Sequence, residues 1–270
     1  MTQAEKAARF LALHRPGEPL LMANAWDAGS AKLFAHLGFE ALATTSSGFA
    51  ATLGRADYGA TREEALAHAA ALADATDLPV SADLENGYAD RPAGVAETVR
   101  LAAGTGLAGC SVEDFTGRAD DPIYALDAAA ARVAAAAEAA HSGPVHLVLT
   151  ARAENYLRGR PDRDDTIARL RAYQGAGADV LFAPGLRDLA DIEAIVGALD
   201  RPVSVLAWPG APPVAELGRV GVARISVGGA FAFAGLAAAV DAARELRESG
   251  TYGYLEQSSL GAREARAAFA

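Results

Sequence analysis

The sequence predicts an α/β protein, a (β/α)8 barrel of the TIM type in one domain over residues 1–270. Three observations carry that prediction. Eight short apolar runs alternate with Ala-rich stretches of helical character. A chain of 270 residues, 51% of them hydrophobic, can bury one sizeable core. The polar residues that close the runs gather at one rim, while the opposite ends are mostly Gly, Pro and Ala. A doubly wound open sheet is the alternative.

The elements follow in order. Residues 1–19 open with "MTQAEKAARFLALHRPG", an amphipathic helix without the apolar core of a signal peptide. Strand one, "LLMAN" (20–24), leads to Asn24 and Asp27. Strand two, "FEALATTS" (39–46), ends at Ser46, Ser47 and Gly48, which read as a strand-to-loop turn. A helix, "TREEALAHAAALADAT" (61–76), precedes strand three, "PVSADLE" (79–85), which delivers Asp83 and Glu85. "GTGLAG" (104–109) matches a dinucleotide glycine motif by letter, but it precedes a strand where that motif must follow one. Its glycines close a helix and turn into strand four, "LAGCSVED" (107–114), ending at Glu113 and Asp114. The Ala-rich tract 127–140 is a covering helix, Ala being the best helix former. Strand five, "VHLVLTAR" (145–152), ends at Arg152, with Glu154 just beyond. Strands six (178–184), seven (202–208) and eight (222–228) reach Pro184, Trp208 and Gly228, and "GAGAD" and "GVAR" are turns from helix into strand. A helical arm, 235–270, follows: a helix at 235–249, a "GTYGY" break and a further Ala-rich segment. Such an arm needs a surface to bury against, which points to a homo-oligomer.

Composition removes several functions. The net charge is −10 and no basic run occurs, so nucleic acid is not an expected partner. No long uncharged apolar stretch predicts a membrane span. The single cysteine, Cys110, excludes an internal disulfide and places the protein in a reducing cytoplasm. Cys110 lies inside strand four and reads as a small core residue. The two lysines, Lys6 and Lys32, fall in helices, so Schiff-base chemistry has no candidate at the rim. His14, His36 and His68 fall in helix patterns, His141 at a helix end, and His146 at the start of strand five, on the wrong face. Acid–base work is left to carboxylates, tyrosine or water.

Asp83, Glu85 and Glu113 come from neighbouring strand ends. Carboxylates that close repel one another and raise each other's pKa, and a divalent cation relieves this. All-oxygen ligands favour Mg²⁺ or Mn²⁺ over Zn²⁺. The competing role for these acids is to cap helices or pair with arginines. Arg152 is the one strand-end cation, suited to grip a carboxylate with two parallel hydrogen bonds or to bridge the acids. Ser46, Ser47 and Gly48 offer hydroxyls and backbone N–H groups to a second anionic oxygen. Together these describe a pocket for a small 2-oxo acid, or its enolate, held against a metal.

"NAWDAGSA", "TTSSGFAATLGRAD", "SADLENGYAD", "SVED" and "LTARAENYL" resemble, in order, motifs of the isocitrate lyase/phosphoenolpyruvate mutase superfamily. The resemblance implies a (β/α)8 barrel, Mg²⁺, and the breaking or making of C–C or P–C bonds beside a 2-oxo acid. It places Ser47, Gly48 and Phe49 on the substrate carboxylate and Arg152 on the substrate. It places Asp57, Asp83, Glu85 and Glu113 in the metal shell, partly through water. It also implies a tetramer in which the C-terminal arm is exchanged between subunits. Departures are specific. Asp83-Leu84-Glu85 stands where many members have Asp-x-Asp. The lyases carry a gating-loop Cys as acid, but "DFTGRADDPIYALD" (114–127) has no Cys, Lys or His. Phe115 stands where phosphonate-handling members have Lys.

The expected activity is that of a Mg²⁺-dependent lyase or hydrolase breaking a C–C bond next to a 2-oxo acid, acting on a small 2-oxo or 2-hydroxy acid. Phosphonopyruvate or phosphoenolpyruvate chemistry, with Arg118 in place of the missing Lys, is the alternative within the superfamily. Non-catalytic binding of a 2-oxo acid is the alternative outside it. Tyr124, Asp120, Asp121 and Thr116 are the gating-loop candidates for proton donor, with Tyr124 the leading one.

Overall fold

The computed structural model describes residues 1–270, and its eight parallel strands close into a barrel in chain order. The strands are β1 (Leu20–Ala25), β2 (Leu42–Thr44), β3 (Val80–Asp83), β4 (Gly109–Glu113), β5 (Val148–Arg152), β6 (Val180–Phe182), β7 (Val203–Leu206) and β8 (Arg224–Ser226). Helix α1 (Gln3–Ala12) precedes them, and α2 (Ala28–His36) follows β1. Two helices, α3 (Ser46–Thr52) and α4 (Arg62–Ala75), follow β2. Single helices α5 (Pro92–Ala103), α6 (Leu126–His141), α7 (Arg163–Gly175), α8 (Leu189–Gly197) and α9 (Val214–Arg219) follow β3 to β7. Helices α10 (Ala230–Arg244) and α11 (Leu255–Phe269) complete the chain. No helix is long and apolar enough to cross a membrane.

Local chemistry sets these boundaries. Thr2 with Glu5, Asp27 with Ser30, and Thr61 with Glu64 form reciprocal capping boxes at α1, α2 and α4. Gly104 closes α5, and Gly106 (φ +81°) makes the turn into β4, so "GTGLAG" is a helix end. Seven of the eight paired strands are shorter than their apolar runs, and β1 extends one residue beyond its own, to Ala25. One segment differs in kind. Ser46-Ser47-Gly48 opens α3 instead of a loop, since Thr45 Oγ1 accepts from the Gly48 N–H at 3.2 Å and caps a helix there. The arm helix also begins earlier than its pattern, at Ala230.

Two apolar layers form. Outward strand residues such as Leu42, Leu149 and Leu181 pack under the helices with Leu72, Val95, Leu170 and Tyr173. Inside, Leu20, Ala41, Val148 and Val180 meet Phe10 of α1, which plugs the bottom of the barrel. Gly109 admits that plug: a Cβ there would stand 2.8 Å from Phe10 Cε1 and 2.7 Å from the Val148 carbonyl oxygen. Above the plug the barrel turns polar, with Ser81, Ser111, Thr150, Ser204 and Arg224 all buried. The top carries Asp83, Glu113 and Arg152. A π-helical segment, Glu245–Ser249, extends α10, and α11 lies against α2 of the same chain. The arm leaves Phe231, Phe233, Leu236, Val240, Leu246, Leu255 and Leu260 exposed.

Candidate active site

Parallel closure brings every strand C-terminus to one mouth. Beneath it lies a cavity of about 380 Å³ lined by residues of all eight strands or their C-terminal loops, including Ser47, Asp57, Asp83, Arg152 and Arg158. The register sets Glu113 of β4 opposite Arg152 of β5.

Arg152 is the hub. Its Nη1 donates to Asp83 Oδ1 at 3.0 Å, and its Nη2 lies 3.0 Å from Glu113 Oε2. Nε and Nη2 both donate to Glu154 Oε1, at 3.0 and 2.8 Å. The guanidinium therefore bridges three carboxylates and also faces the cavity. Asp83 is fixed from below, its N–H donating to Thr44 Oγ1 at 2.8 Å.

Opposite this bridge the acids lack a cation. Burial, then Asp83 and Asp57, push the Glu85 carboxyl up to about 8. Burial and Asp83 likewise raise Asp57. Glu85 Oε1 is buried without a partner. Tyr58 (φ 62°), Glu85 (φ 49°) and Tyr88 (φ 54°) are the chain's non-glycine residues in the left-handed region, and all three belong to this acidic rim. Backbone strain of this kind persists where surrounding structure enforces it, commonly at functional sites. The orphaned Glu85 oxygen beside Asp83 and Asp57, and the all-oxygen donor set these make, fit a hard divalent cation.

The remaining predicted residues fall as follows. Glu113 is buried, and burial holds its carboxyl well up; it accepts from the Tyr58 hydroxyl. Gly48 and Phe49 are not among the residues lining the cavity. The Gly48 N–H goes to Thr45, the Phe49 N–H to the Thr45 carbonyl at 2.9 Å, and the Phe49 ring stacks on His68 at 4.0 Å. Tyr124 also lies outside the lining, its hydroxyl donating to Asp90 and its ring under the Arg132 guanidinium at 4.1 Å. Asp114 accepts from the Glu154 N–H and from Arg169, which joins β4 to α7. Cys110 is buried in β4, its thiol pushed up to about 12 by burial. His141 and His146 both bond Asp179, beside the N-terminal ends of β5 and β6.

Sequence reasoning missed Tyr58 and Arg158. Arg158 Nη2 donates to the Tyr58 hydroxyl and lies 3.4 Å from Glu154 Oε2, with its guanidinium 3.6 Å from the Phe115 ring centroid. The i,i+4 spacing of Glu154 and Arg158 was the available signal.

A closed eight-stranded parallel barrel with acids and arginines clustered at one mouth defines the class of protein by its fold and site. The chain belongs to the phosphoenolpyruvate mutase/isocitrate lyase superfamily: it matches the phosphoenolpyruvate phosphomutase family over residues 10–247. A Burkholderia cenocepacia crystal structure described as a lyase or mutase is 53% identical, with a TM-score of 0.91 over 94% of this chain and 92% of that one. An uncharacterized protein of Mycobacterium tuberculosis is 37% identical over 88% of this chain and 89% of its own. An oxaloacetate decarboxylase of Pseudomonas aeruginosa is 31% identical over 90% of this chain and 86% of its own.

Proposed function

We propose that the protein is a Mg²⁺-dependent lyase or hydrolase that breaks a C–C bond next to a 2-oxo acid. The observation that carries this is the set Asp57, Asp83 and Glu85, which face one another across the rim beside Arg152 with Glu85 Oε1 unpartnered. Asp83 would hold Mg²⁺, with Asp57, Glu85 and Glu113 around it directly or through water. Bound there, the ion supplies positive charge to the carboxylate and oxo oxygens as the bond to C3 breaks. The chain's own residues do the rest. Arg152 orients the carboxylate end with the one Nη1 N–H that its three acid partners leave open. The Ser47 hydroxyl, 3.2 Å from Thr45 Oγ1, stands at the same wall. Glu113 holds the Tyr58 hydroxyl, and Arg158 lines the side of the pocket.

Arg118, the residue available for P–C chemistry in place of the missing Lys, is half-exposed and pairs with Asp121 at 3.3 Å. That pairing favours the C–C reading. The similarity to an oxaloacetate decarboxylase points the same way. The test is a screen of 2-oxo and 2-hydroxy diacids, with and without metal, following pyruvate or glyoxylate. Turnover should vanish on exhaustive chelation and return with Mg²⁺ or Mn²⁺. Full turnover after chelation overturns the metal assignment, and Mg²⁺-dependent oxalate binding with no turnover of any acid overturns the catalytic one.

A further inference from the structure

The face of the barrel opposite the mouth carries a cluster that the proposed chemistry does not use. His141 ends α6, His146 lies just before β5, and Asp179 lies just before β6. All three therefore sit toward the N-terminal ends of the strands, and none lines the cavity. Their side chains nevertheless converge. His141 Nε2 stands 2.9 Å from Asp179 Oδ2, and His146 Nε2 stands 3.1 Å from Asp179 Oδ1. One ligand atom of each residue lies within 4.8 Å of the other two. The two imidazoles stack, with centroids 4.0 Å apart and planes 6° from parallel.

The carboxylate is fixed by the barrel itself. Asp179 is buried, its N–H donates to the Leu149 carbonyl oxygen at 3.0 Å, and its Oδ2 accepts the Leu149 N–H at 2.8 Å. Outer bonds of this kind orient a carboxylate for a metal. The histidines are more open, with 28% of the His141 side chain and 48% of the His146 side chain exposed, which leaves room for water on the His146 side.

Hydrogen bonds alone serve this cluster poorly. Two Nε2–H groups aimed at one carboxylate from stacked rings set like dipoles side by side. Two imidazolium rings in the same stack would oppose two positive charges over a single negative one. A cation among the three residues removes both conflicts. Each ring then carries its proton on Nδ1 and turns an Nε2 lone pair to the metal, and Asp179 supplies an anionic oxygen. Two nitrogens and one carboxylate oxygen suit Zn²⁺, a borderline-soft ion, whereas the all-oxygen rim suits Mg²⁺.

We propose that His141, His146 and Asp179 form a second metal site, selective for Zn²⁺ over Mg²⁺, with water in the remaining position. The site is independent of the function proposed for the mouth. Its ion clips the end of α6 and the start of β5 to the start of β6, across the intervening α7. An ion that binds the folded chain in this way stabilises it by mass action. The open position makes the binding reversible.

Calorimetry of the full chain tests this, with the protein stripped by chelation, held in excess Mg²⁺ to occupy the rim, and titrated with Zn²⁺. One Zn²⁺ should bind per chain. His146→Gln is the informative variant, because its amide still donates to Asp179 but is a poor zinc ligand. Zn²⁺ affinity there should fall at least about tenfold, since even the loss of an outer-shell partner costs about 10–100-fold. Asp83→Asn, at the mouth, should leave Zn²⁺ affinity within about twofold, being distant from the cluster. Thermal unfolding gives a second readout. Zn²⁺ at about a hundredfold excess over its dissociation constant should raise the midpoint of the unmodified protein by at least about 3 °C, and should not raise that of His146→Gln. No Zn²⁺ binding in the presence of Mg²⁺ overturns the site. Binding that survives His146→Gln unchanged overturns it too, and binding lost in Asp83→Asn instead assigns the ion to the rim. Should His146→Gln not fold, His141→Gln carries the same test with the same outcomes.

Discussion

Acidification tests the interior directly, through His14. In the folded protein this side chain is buried against Arg224, its Nδ1–H on the Phe10 carbonyl and its Nε2 accepting from the guanidinium. Protonation would place an imidazolium against a guanidinium, and His14 is accordingly lowered from 6.5 to about 3. The folded-state pKa is depressed, so the stabilisation is complete above about 6.5 and is lost as pH falls toward 3. Between those values the unfolded chain holds a proton that the folded one refuses. Each pH unit then costs about 1.4 kcal/mol, so going from pH 7 to pH 5 costs roughly 2 kcal/mol from this residue. Carboxylates titrate in the same range, so the quantity to read is a difference. Urea unfolding of the unmodified protein and of His14→Gln, which can still accept from Arg224 but cannot ionise, is compared at pH 7 and pH 5. The stability gap between the two proteins should shift by about 2 kcal/mol in favour of the variant at pH 5. A gap that stays constant to within about 0.5 kcal/mol, comparable to the error of the extrapolation, would refute the argument.

Three further outcomes are expected. Arg152→Lys should lower kcat/KM by about a hundredfold or more. One ammonium cannot bridge Asp83, Glu113 and Glu154 at once, and each charge-assisted bond lost is worth about 1.5–3 kcal/mol; near-normal kcat/KM would make Arg152 peripheral. Isocitrate and 2-methylisocitrate should be cleaved at less than about 0.1 s⁻¹, a hundredfold or more below an ordinary enzyme, because the loop 114–127 has no thiol and Cys110 is buried with its pKa pushed up to about 12. Glyoxylate or pyruvate release at about 1 s⁻¹ would contradict that account of the loop. Light scattering at micromolar concentration should show a homo-oligomer, with a tetramer expected, since α10 and α11 expose Phe231, Phe233, Leu236, Val240, Leu255 and Leu260; a monomer would leave that apolar arm unexplained.

The barrel was legible because its signal is repetitive. Eight apolar runs alternate with helices, and parallel closure then dictates that their C-terminal residues share a mouth. Asp83, Glu113 and Arg152 could be placed together on that rule alone. Residues carried by loops could not. Tyr58 reaches Glu113 from a loop after α3, and Arg158 reaches Tyr58 from the loop after β5, contacts that depend on backbone paths without periodicity. Ser46–Thr52 was misjudged because Ser and Gly serve turns and helix starts alike, and Thr45 decided between them. Arg224 is the most instructive omission. Within "VARISVG" it looks like an interruption of an apolar strand, but Ala223 and Ile225 are buried on the opposite face from Arg224 and Ser226. The same alternation runs through Ser81 and Asp83, Ser111 and Glu113, and Thr150 and Arg152. Period two in a strand assigns alternate residues to opposite faces. A barrel whose strands pair apolar outward residues with polar inward ones draws its hydrophobic stabilisation from the strand–helix layer and the Phe10 plug. Its upper interior is thereby free to be polar. Such an interior is stable only while its polar groups find partners, and in this chain Ser81, Ser111 and Ser226, whose hydroxyls bond nothing in the protein, line the cavity.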